Sequence, residues 1–236
     1  MQKNIFIFMG APGSGKGTLS SICKKKFGWK QLSTGDLCRN HMQDQTEIGK
    51  QITSIIEAGE LVADDIIALM VKEWLLGLKD INENIIFDGY PRTLGQAKTF
   101  CEILINDLKG FQAWIVRLDV SAEVIVERLL SRAICVNKEC QAVYSTIPNS
   151  VHSSKKYMIC DACGRNLKRR IDDTEESIVH RISVYRKHEQ DIIDFFMKDS
   201  GLCNDSHLIE LNGNQTIEEI LNDFKKNNIL KDDSKK

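Results

Sequence analysis

The chain has 236 residues, of which 42% are hydrophobic and 28% are charged, and this ordinary globular composition excludes collagen-like, disordered and low-complexity proteins. Its 32 basic and 33 acidic residues give a net charge of −1, which argues against a general nucleic-acid coat. The longest apolar runs, 5–9 and 66–71, are far shorter than the roughly 20 residues of a membrane-spanning helix, and the first is too short for a signal peptide. We therefore expect a monomeric, cytoplasmic protein with one main core and room for insertions.

Short apolar runs alternate with helical patterns along the chain. The first run, 4–9, suits a strand buried on both faces, and a helical stretch to about residue 26 follows it. Similar strand-like runs lie at 84–88, 113–118 and 207–211. Apolar residues recur with helical spacing at 66–78, 124–130 and 178–185, each behind a candidate capping residue: Asp64, Ser121 and Thr174. Strands that alternate with helices predict an α/β fold with a parallel sheet.

Two stretches interrupt this alternation. Residues 33–62 indicate short helices without a strand, and residues 131–170 hold paired cysteines, a polar centre and a basic exit. We expect both to be insertions over the edge of the sheet. The last residues are charged and polar, and we expect the tail at 227–236 to be frayed.

Four of the eight cysteines fall in two pairs. Cys135 and Cys140 form a C-x4-C pattern, Cys160 and Cys163 form C-x2-C, and 19 residues separate the pairs. In a cytosolic chain such pairs indicate a metal before a disulfide, and the spacing matches a structural zinc site with four thiolate ligands. The scattered cysteines are expected to be small buried hydrophobes: Cys23, Cys38, Cys101 and Cys203.

A glycine-rich segment, Gly10-Ala11-Pro12-Gly13-Ser14-Gly15-Lys16-Gly17-Thr18, follows the first strand and opens a helix. Its glycines let the loop curl so that backbone N–H groups converge on a phosphate, and the helix N-terminus and the lysine add positive charge. A tight turn without a ligand is the alternative, but the strand before, the helix after and the lysine in register favour phosphate. Gly17 stands where Ser or Thr usually binds magnesium, and Thr18 follows it. The segment predicts a nucleoside triphosphate bound with Mg²⁺.

Three motifs in chain order resemble the adenylate kinases. They are the Gly-Lys-Gly-Thr step, Ser33-Thr34-Gly35-Asp36-Leu37-Cys38-Arg39 and Phe87-Asp88-Gly89-Tyr90-Pro91-Arg92-Thr93, and the resemblance runs from about residue 4 to residue 213. It implies the P-loop nucleoside monophosphate kinase fold, with a parallel five-stranded sheet flanked by helices. The core would comprise 1–32, 63–130 and 171–226, with an AMP-binding insertion at 33–62 and a zinc-bearing lid at 131–170. The implied reaction is ATP + AMP = 2 ADP, which serves adenine nucleotide homeostasis.

The resemblance implies an acceptor site for AMP. Thr34 corresponds to the hydroxyl by which the family recognises adenine, where pyrimidine monophosphate kinases tend to carry alanine, and the Gln96 amide can read the adenine edge. Arg39 and Arg92 correspond to residues on the AMP phosphate. The remaining residues implied for the AMP pocket are Glu60, Leu61, Val62, Gly89, Tyr90, Pro91, Arg170 and Arg181.

The resemblance also implies a donor site and a set of catalytic cations. The implied ATP contacts are Gly13, Ser14, Gly15, Lys16, Gly17, Thr18, Arg128, Arg132, Val143, Tyr144 and Gln215. Permanently charged arginine forks match phosphate oxygens, and the expected catalytic residues are Lys16, Arg92, Arg132, Arg170 and Arg181. No base on the protein is expected, because the attacking phosphate is already ionised. Asp88 and Thr18 are expected to hold the water shell of Mg²⁺.

The lid departs from the family pattern at its first pair of cysteines. Long-lid adenylate kinases of bacterial type often carry a four-cysteine zinc site, and their usual first knuckle is C-x2-C followed by glycine. Here the knuckle is two residues longer, and Gln141 follows it. The implied metal is structural, because four thiolates leave no open coordination position.

Three other functions are weighed against this one. A GTPase switch requires a base-reading Asn-Lys-x-Asp, but the only Asn-Lys, Asn137-Lys138, is followed by Glu139-Cys140 in the predicted lid. A zinc-ribbon nucleic-acid binder fits poorly with the net charge of −1. The nearest alternative is a kinase of the same fold that uses GTP as donor or another monophosphate as acceptor. The segment implied for the donor base, 212–215, does not decide the donor because the family holds that base mainly through backbone groups.

Overall fold

The computed structural model describes residues 3–78, 83–107, 111–199 and 206–227. In chain order the elements are β1 (Lys3–Met9), α1 (Lys16–Phe27), β2 (Lys30–Ser33), α2 (Thr34–Gln43), α3 (Glu47–Glu57), α4 (Asp64–Leu76), β3 (Ile85–Asp88), α5 (Leu94–Asp107), β4 (Phe111–Asp119), α6 (Ala122–Leu130), β5 (Arg132–Cys135), β6 (Val143–Ser145), β7 (Leu167–Arg169), α7 (Glu175–Asp194), β8 (Ser206–Asn212) and α8 (Ile217–Lys226). A π-helical turn, Phe195–Asp199, continues α7.

Five strands form one parallel sheet in the order β2-β3-β1-β4-β8. β1 lies at its centre, where Ile7 is paired with Phe87 of β3 and with Ile115 of β4. Because the strands run in one direction, their carboxyl ends meet at one edge, and the loops that follow β1 and β3 and the helix α2 that follows β2 begin there. The predicted α/β fold with a parallel five-stranded sheet is confirmed.

The unbroken apolar run of β1 is explained by burial on both faces of the sheet. Ile5 and Ile7 pack into the core under α4 and α5, whereas Phe6 and Phe8 pack on the opposite face with α1 and α8. On that second face Phe6 stacks on Trp29, with the ring centroids 4.5 Å apart. The central strand is therefore rigid, which fixes the loop that leaves its carboxyl end.

The edge strand β2 is the one strand of this sheet that the apolar pattern did not indicate. Its four residues, Lys30–Ser33, include one buried apolar side chain, that of Leu32. An edge strand needs an apolar face only where it meets the sheet, so its sequence carries a weaker signal than that of a central strand.

Two of the three predicted helix caps differ from the expectation. Thr174 caps α7 as expected, because its hydroxyl accepts a hydrogen bond from the Ser177 N–H. Asp64 does not cap α4, because it is the first residue of that helix. Its carboxylate instead accepts hydrogen bonds from Thr93, directly before α5, and from Gln96 in the first turn of α5. Ser121 stands at the cap position of α6 without a side-chain cap bond. A side chain at a helix start takes whichever partner the tertiary structure offers.

A second, smaller sheet lies in the segment rich in cysteines. It is antiparallel, with the order β6-β5-β7, and its core is small: Ala133, Cys135, Cys160 and Leu167. Several apolar side chains of the segment are exposed, among them Val151 and Tyr157. So small a core contributes little burial, which is the situation in which a bound metal stabilises a fold.

Three of the scattered cysteines, Cys23, Cys38 and Cys101, are buried as expected. Cys203 and the tail beyond residue 227 lie outside the described residues. Within the described ranges no helix combines the length and the apolar character that a membrane span requires.

Candidate functional site

A cleft of about 840 Å³ opens at the carboxyl edge of the main sheet. It is lined by the glycine-rich loop, by the α2–α3 insertion, by the end of β3 and by the small sheet. The structure brings to this cleft every residue that the resemblance implies for ATP, AMP and Mg²⁺, with one exception. The ring of Tyr90 is buried beside Phe87 and Phe100, in the core beneath the cleft.

The glycine-rich loop curls tightly between β1 and α1. Gly13 and Gly15 have φ values of +83° and +100°, a region that favours glycine because other side chains are strained there. A Cβ on Gly10 would lie 2.7 Å from the carbonyl oxygen of Leu118, so the loop also packs too closely for a side chain at that position. These glycines create the concave turn in which backbone N–H groups can bind an anion.

Lys16 lies folded over this loop. Its Nζ donates hydrogen bonds to the carbonyl oxygens of Gly10, at 2.6 Å, and Ala11, at 2.9 Å. Burial lowers the pKa of Lys16 to about 8, an effect that Asp88 opposes and that Arg92, Arg181 and Arg132 reinforce. The ammonium is still mostly protonated at neutral pH, and an incoming phosphate would be a better partner for it than two neutral carbonyls.

Asp88 ends β3 beside the first turn of α1. A Cβ on Gly17 would lie 3.4 Å from the Asp88 Oδ2, so the glycine after Lys16 lets the helix and the carboxylate approach. Burial raises the pKa of Asp88, whereas the charge of Lys16 acts to lower it. A cation at this carboxylate would therefore stabilise its ionised form.

The predicted AMP pocket is built around the carbonyl oxygen of Gly89. It accepts hydrogen bonds from the Thr34 hydroxyl, at 2.9 Å, and from Nε of Arg92, at 2.7 Å. The Arg92 N–H donates to the Gln96 amide oxygen at 2.8 Å, and the Gln96 amide nitrogen donates to Asp64 at 2.8 Å. Thr34 and Gln96 are both buried, so their polar groups are fixed in direction by these bonds.

Other residues around this pocket have partners of their own. Arg39 is ion-paired with Asp36 within α2. The carboxylate of Glu60 lies 2.9 Å from Nε2 of His180 on α7. Leu61, Val62 and Pro91 line the cleft.

Three arginines converge on two adjacent carboxylates at the end of the small sheet. Arg132 makes two hydrogen bonds to Asp173, at 2.8 and 2.6 Å, and Arg170 makes two to Asp172, at 2.9 and 2.5 Å. Arg181 reaches both carboxylates, at 3.1 and 3.2 Å. We refer to these five side chains as the arginine group.

The arginine group is nearly dry. None of its five side chains is more than 15% exposed. Burial alone would raise the pKa of Asp172, but its hydrogen bonds with Arg170 and the charges of the three arginines hold that pKa well below its usual range. The two aspartates were missed as functional residues, although their position directly after Arg170 and Ile171 was a signal that could have found them.

The residues expected to contact ATP beyond the phosphate loop and the arginine group line the same cleft. Val143 is 51% exposed. The Tyr144 hydroxyl accepts a hydrogen bond from the Asp161 N–H at 2.9 Å and lies 3.6 Å from Sγ of Cys160. Arg128 lines the cleft as well. The amide oxygen of Gln215 is buried and has no hydrogen-bond partner within the described part of the chain.

The four paired cysteines meet in the small sheet. Their Sγ atoms all lie within 4.8 Å of one another, with 3.3 Å between Cys135 and Cys163 and 3.7 Å between Cys140 and Cys160. Tetrahedral zinc with bonds of about 2.3 Å separates its sulfur ligands by roughly 3.8 Å. The extra two residues in the first knuckle therefore do not prevent the four thiols from converging.

The fold and the cleft define the class of protein. The glycine-rich loop and the arginine group line one cleft at the carboxyl edge of a parallel sheet. This is the arrangement of a P-loop nucleotide phosphotransferase. The family model for adenylate kinase matches residues 8–201.

Curated relatives agree along nearly the whole chain. The chain is 36% identical to the adenylate kinase of Methanothrix thermoacetophila over 220 residues, which cover 93% of this chain and 96% of the relative. It is 37% identical to that of Petrotoga mobilis over 214 residues (91% and 92%) and 35% identical to that of Bacillus subtilis over 219 residues (93% and 95%). The chain belongs to the adenylate kinase family, and it is a nucleoside monophosphate kinase.

Proposed function

We propose that this cleft transfers the terminal phosphate of ATP to AMP, with ATP over the phosphate loop and AMP between α2 and the end of β3. The observation that carries this assignment is the arginine group, because its three arginines line the same cleft as the phosphate loop and the arginines of the acceptor side. On the donor side, burial has the largest effect in lowering the pKa of Lys16, and the charges of Arg132 and Arg181 lower it further. On the acceptor side, burial likewise lowers the pKa values of Arg39 and Arg92, and the charge of Arg170 adds to that effect.

The chemistry needs positioning and charge more than it needs an acid or a base. An oxygen of the AMP phosphate attacks the terminal phosphorus of ATP; the bond to the bridging oxygen breaks, and its electron pair stays on the departing ADP. The attacking oxygen is already an anion, so no proton has to be removed. Lys16, Arg92, Arg132, Arg170 and Arg181 supply the cations that stabilise the spreading negative charge.

Asp172 and Asp173 act as positioning residues in this scheme. Three guanidinium groups without counterions would repel one another in a dry cleft. The two carboxylates hold them at fixed places before a nucleotide arrives, so that phosphate oxygens meet forks that are already oriented. Such preorganisation lowers the cost of assembling the transition state.

The side chains present fit two metal ions. Asp88 and Thr18 would hold the water shell of Mg²⁺, which when bound offsets the charge of the ATP phosphates, and the half-buried carboxylate of Asp88 suits a cation. Cys135, Cys140, Cys160 and Cys163 would hold Zn²⁺ as a structural ion, because four thiolates complete its coordination.

The two insertions, 33–62 and 131–170, are proposed to move over the cleft. Both line it, so closure would bring the nucleotides together and exclude water from the reaction. That the enzyme works as a monomer in the cytoplasm stays a prediction.

The acceptor assignment is tested with a panel of nucleotides. We expect kcat/KM for AMP to exceed that for CMP, UMP and GMP by at least about 100-fold, because buried polar groups must be matched by the base. The Thr34→Ala variant should lose much of this preference. Thr53→Ala, on α3 outside the cleft, is the matched control and should keep it. Comparable rates with CMP or UMP would overturn the assignment, and the same panel run with ATP and GTP identifies the donor.

A further inference from the structure

One ion pair crosses from the small sheet to the α2–α3 insertion. The Nζ of Lys138 meets Oδ1 of Asp44, 94 positions away in the sequence. Lys138 belongs to the first cysteine knuckle, at the place where this chain has two residues more than the usual C-x2-C pattern. Of the ion pairs found within the described ranges, this one alone joins 131–170 to 33–62.

The extended knuckle is a defined turn. The side-chain oxygen of Asn137 accepts a hydrogen bond from the Glu139 N–H at 3.1 Å. The backbone carbonyl oxygen of Asn137 accepts from the N–H groups of Cys140 and Gln141, at 3.1 and 3.0 Å. The Val136 N–H donates to the carbonyl oxygen of Asn166, at 3.1 Å. Lys138 therefore projects from a turn whose backbone is fixed by the same segment that holds the four thiols.

Asp44 offers a site where a cation is favoured. It is the C-cap residue, directly after α2, and its N–H donates to the carbonyl oxygen of Asn40 at 2.9 Å. The end of a helix carries partial negative charge, and the carboxylate of Asp44 adds a full one. An ammonium at this place interacts favourably with both charges.

We infer that Lys138 and Asp44 form a latch that holds the lid against the AMP-binding insertion and so favours the closed cleft. This inference rests on the proposed function. Both residues lie outside the arginine group and the phosphate loop, so they are positioning residues that touch no reacting atom. Their side chains are 35% and 54% exposed, and an ion pair this exposed changes an equilibrium by about two- to five-fold and is weakened by salt.

The latch makes a specific kinetic prediction. Removing it favours the open form, so substrates bind more weakly and products leave more easily. We expect KM for both nucleotides to rise by about two- to five-fold, while kcat stays the same or increases. A residue that merely stabilised the fold would lower the active fraction, and therefore kcat, without this division between KM and kcat.

The test is a double-mutant cycle on the full chain, read out by the affinity for a bisubstrate mimic in which two adenosines are joined through phosphates. The variants are Lys138→Ala, Asp44→Ala, the double variant, and the charge exchange Lys138→Asp with Asp44→Lys. Each single variant should bind the mimic about two- to five-fold more weakly at low salt. The double variant should be no weaker than either single one, the charge exchange should recover affinity, and high salt should remove the differences. Lys168→Ala, an exposed lysine on β7 of the same lid, should bind like the unaltered protein.

Each outcome separates the latch from the proposed function. Single variants that bind as well as the unaltered protein, or losses that add in the double variant, would overturn the latch and leave the kinase function standing. Unaltered protein that neither binds the mimic nor makes ADP from ATP and AMP would overturn the proposed function itself. Melting temperatures equal to that of the unaltered protein show that the single variants are folded.

Discussion

The arginine group predicts a large effect for a small change, Asp172→Asn. The Asp172 carboxylate accepts two hydrogen bonds from Arg170, at 2.9 and 2.5 Å, and is ion-paired with Arg181 at 3.1 Å. Asparagine has nearly the same shape, but it is uncharged and turns an N–H₂ group toward a guanidinium. The variant therefore leaves three buried guanidinium groups with one carboxylate, that of Asp173, to balance them.

The size of the effect follows from how dry the site is. The side chain of Asp172 is 7% exposed, and those of Arg170 and Arg181 are 12% and 15% exposed, so water screens these contacts little. Hydrogen bonds to buried charged groups contribute about 1.5–3 kcal/mol each, and the variant loses the equivalent of one to two of them. We expect the free energy of unfolding to fall by about 3 kcal/mol. The melting temperature should then fall by roughly 6–12 °C, at about 2–4 °C per kcal/mol for a chain of this size.

Catalysis should fall together with stability, but for a different reason. With Arg170 and Arg181 no longer oriented, kcat should drop by about 100-fold. Thermal melting and steady-state kinetics measure both quantities, and the bisubstrate mimic adds a third reading. Its phosphates supply anions to the same guanidinium groups, so the deficit in melting temperature should shrink when the mimic is bound. The control is Glu47→Gln, whose carboxylate pairs with Lys50 on the exposed surface of α3 and which should change neither quantity measurably.

The same carboxylate gives a pH dependence with a definite sign. Its pKa in the folded protein is held below the unfolded value of about 3.9. Its contribution to stability is therefore fully present above that value and is lost as the pH falls through the folded pKa. The difference in unfolding free energy between the unaltered protein and Asp172→Asn should be constant above about pH 5 and should shrink below about pH 4. A difference that grows toward acid, or a variant with unchanged stability and unchanged kcat, would contradict the role assigned to the Asp172 carboxylate.

Three further predictions concern the phosphate loop, the metal and the insertions. Lys16→Met should lower kcat by several orders of magnitude without unfolding the protein, since positive charge at the transferring phosphate accounts for much of the reduction of the activation barrier. Substitution of the exposed Lys26, Lys26→Met, is the control. Near-normal turnover of folded Lys16→Met would count against the phosphate-loop assignment. Protein purified without chelator should contain about one zinc ion per chain, and chelation or Cys160→Ser should lower the melting temperature and loosen the lid while the main core stays folded; four freely titratable lid thiols and no zinc would contradict the site. The bisubstrate mimic should slow hydrogen exchange in 33–62 and 131–170, and unchanged exchange in both segments would argue against mobile insertions.

The amino-acid sequence by itself was enough for the central strands and the phosphate loop. Short apolar runs predict β1, β3, β4 and β8, because a strand buried on both faces needs apolar side chains at successive positions. The glycines around Lys16 predict the phosphate loop equally well, since the curled loop depends on backbone angles that favour glycine. These signals are local: each is written within about ten residues of chain.

The tertiary structure decided what depends on residues distant in the sequence. The sequence pattern did not indicate that the Asp64 carboxylate would accept a hydrogen bond from Gln96 instead of capping α4. Nor did it indicate that the ring of Tyr90 would be buried in the core. The two aspartates that orient the arginine group, and the contact between Lys138 and Asp44, likewise became visible only when separate segments were brought together. A charged side chain has the same local pattern whether it is solvated or paired, and only the folded chain determines which carboxylate lies within hydrogen-bond distance of which cation.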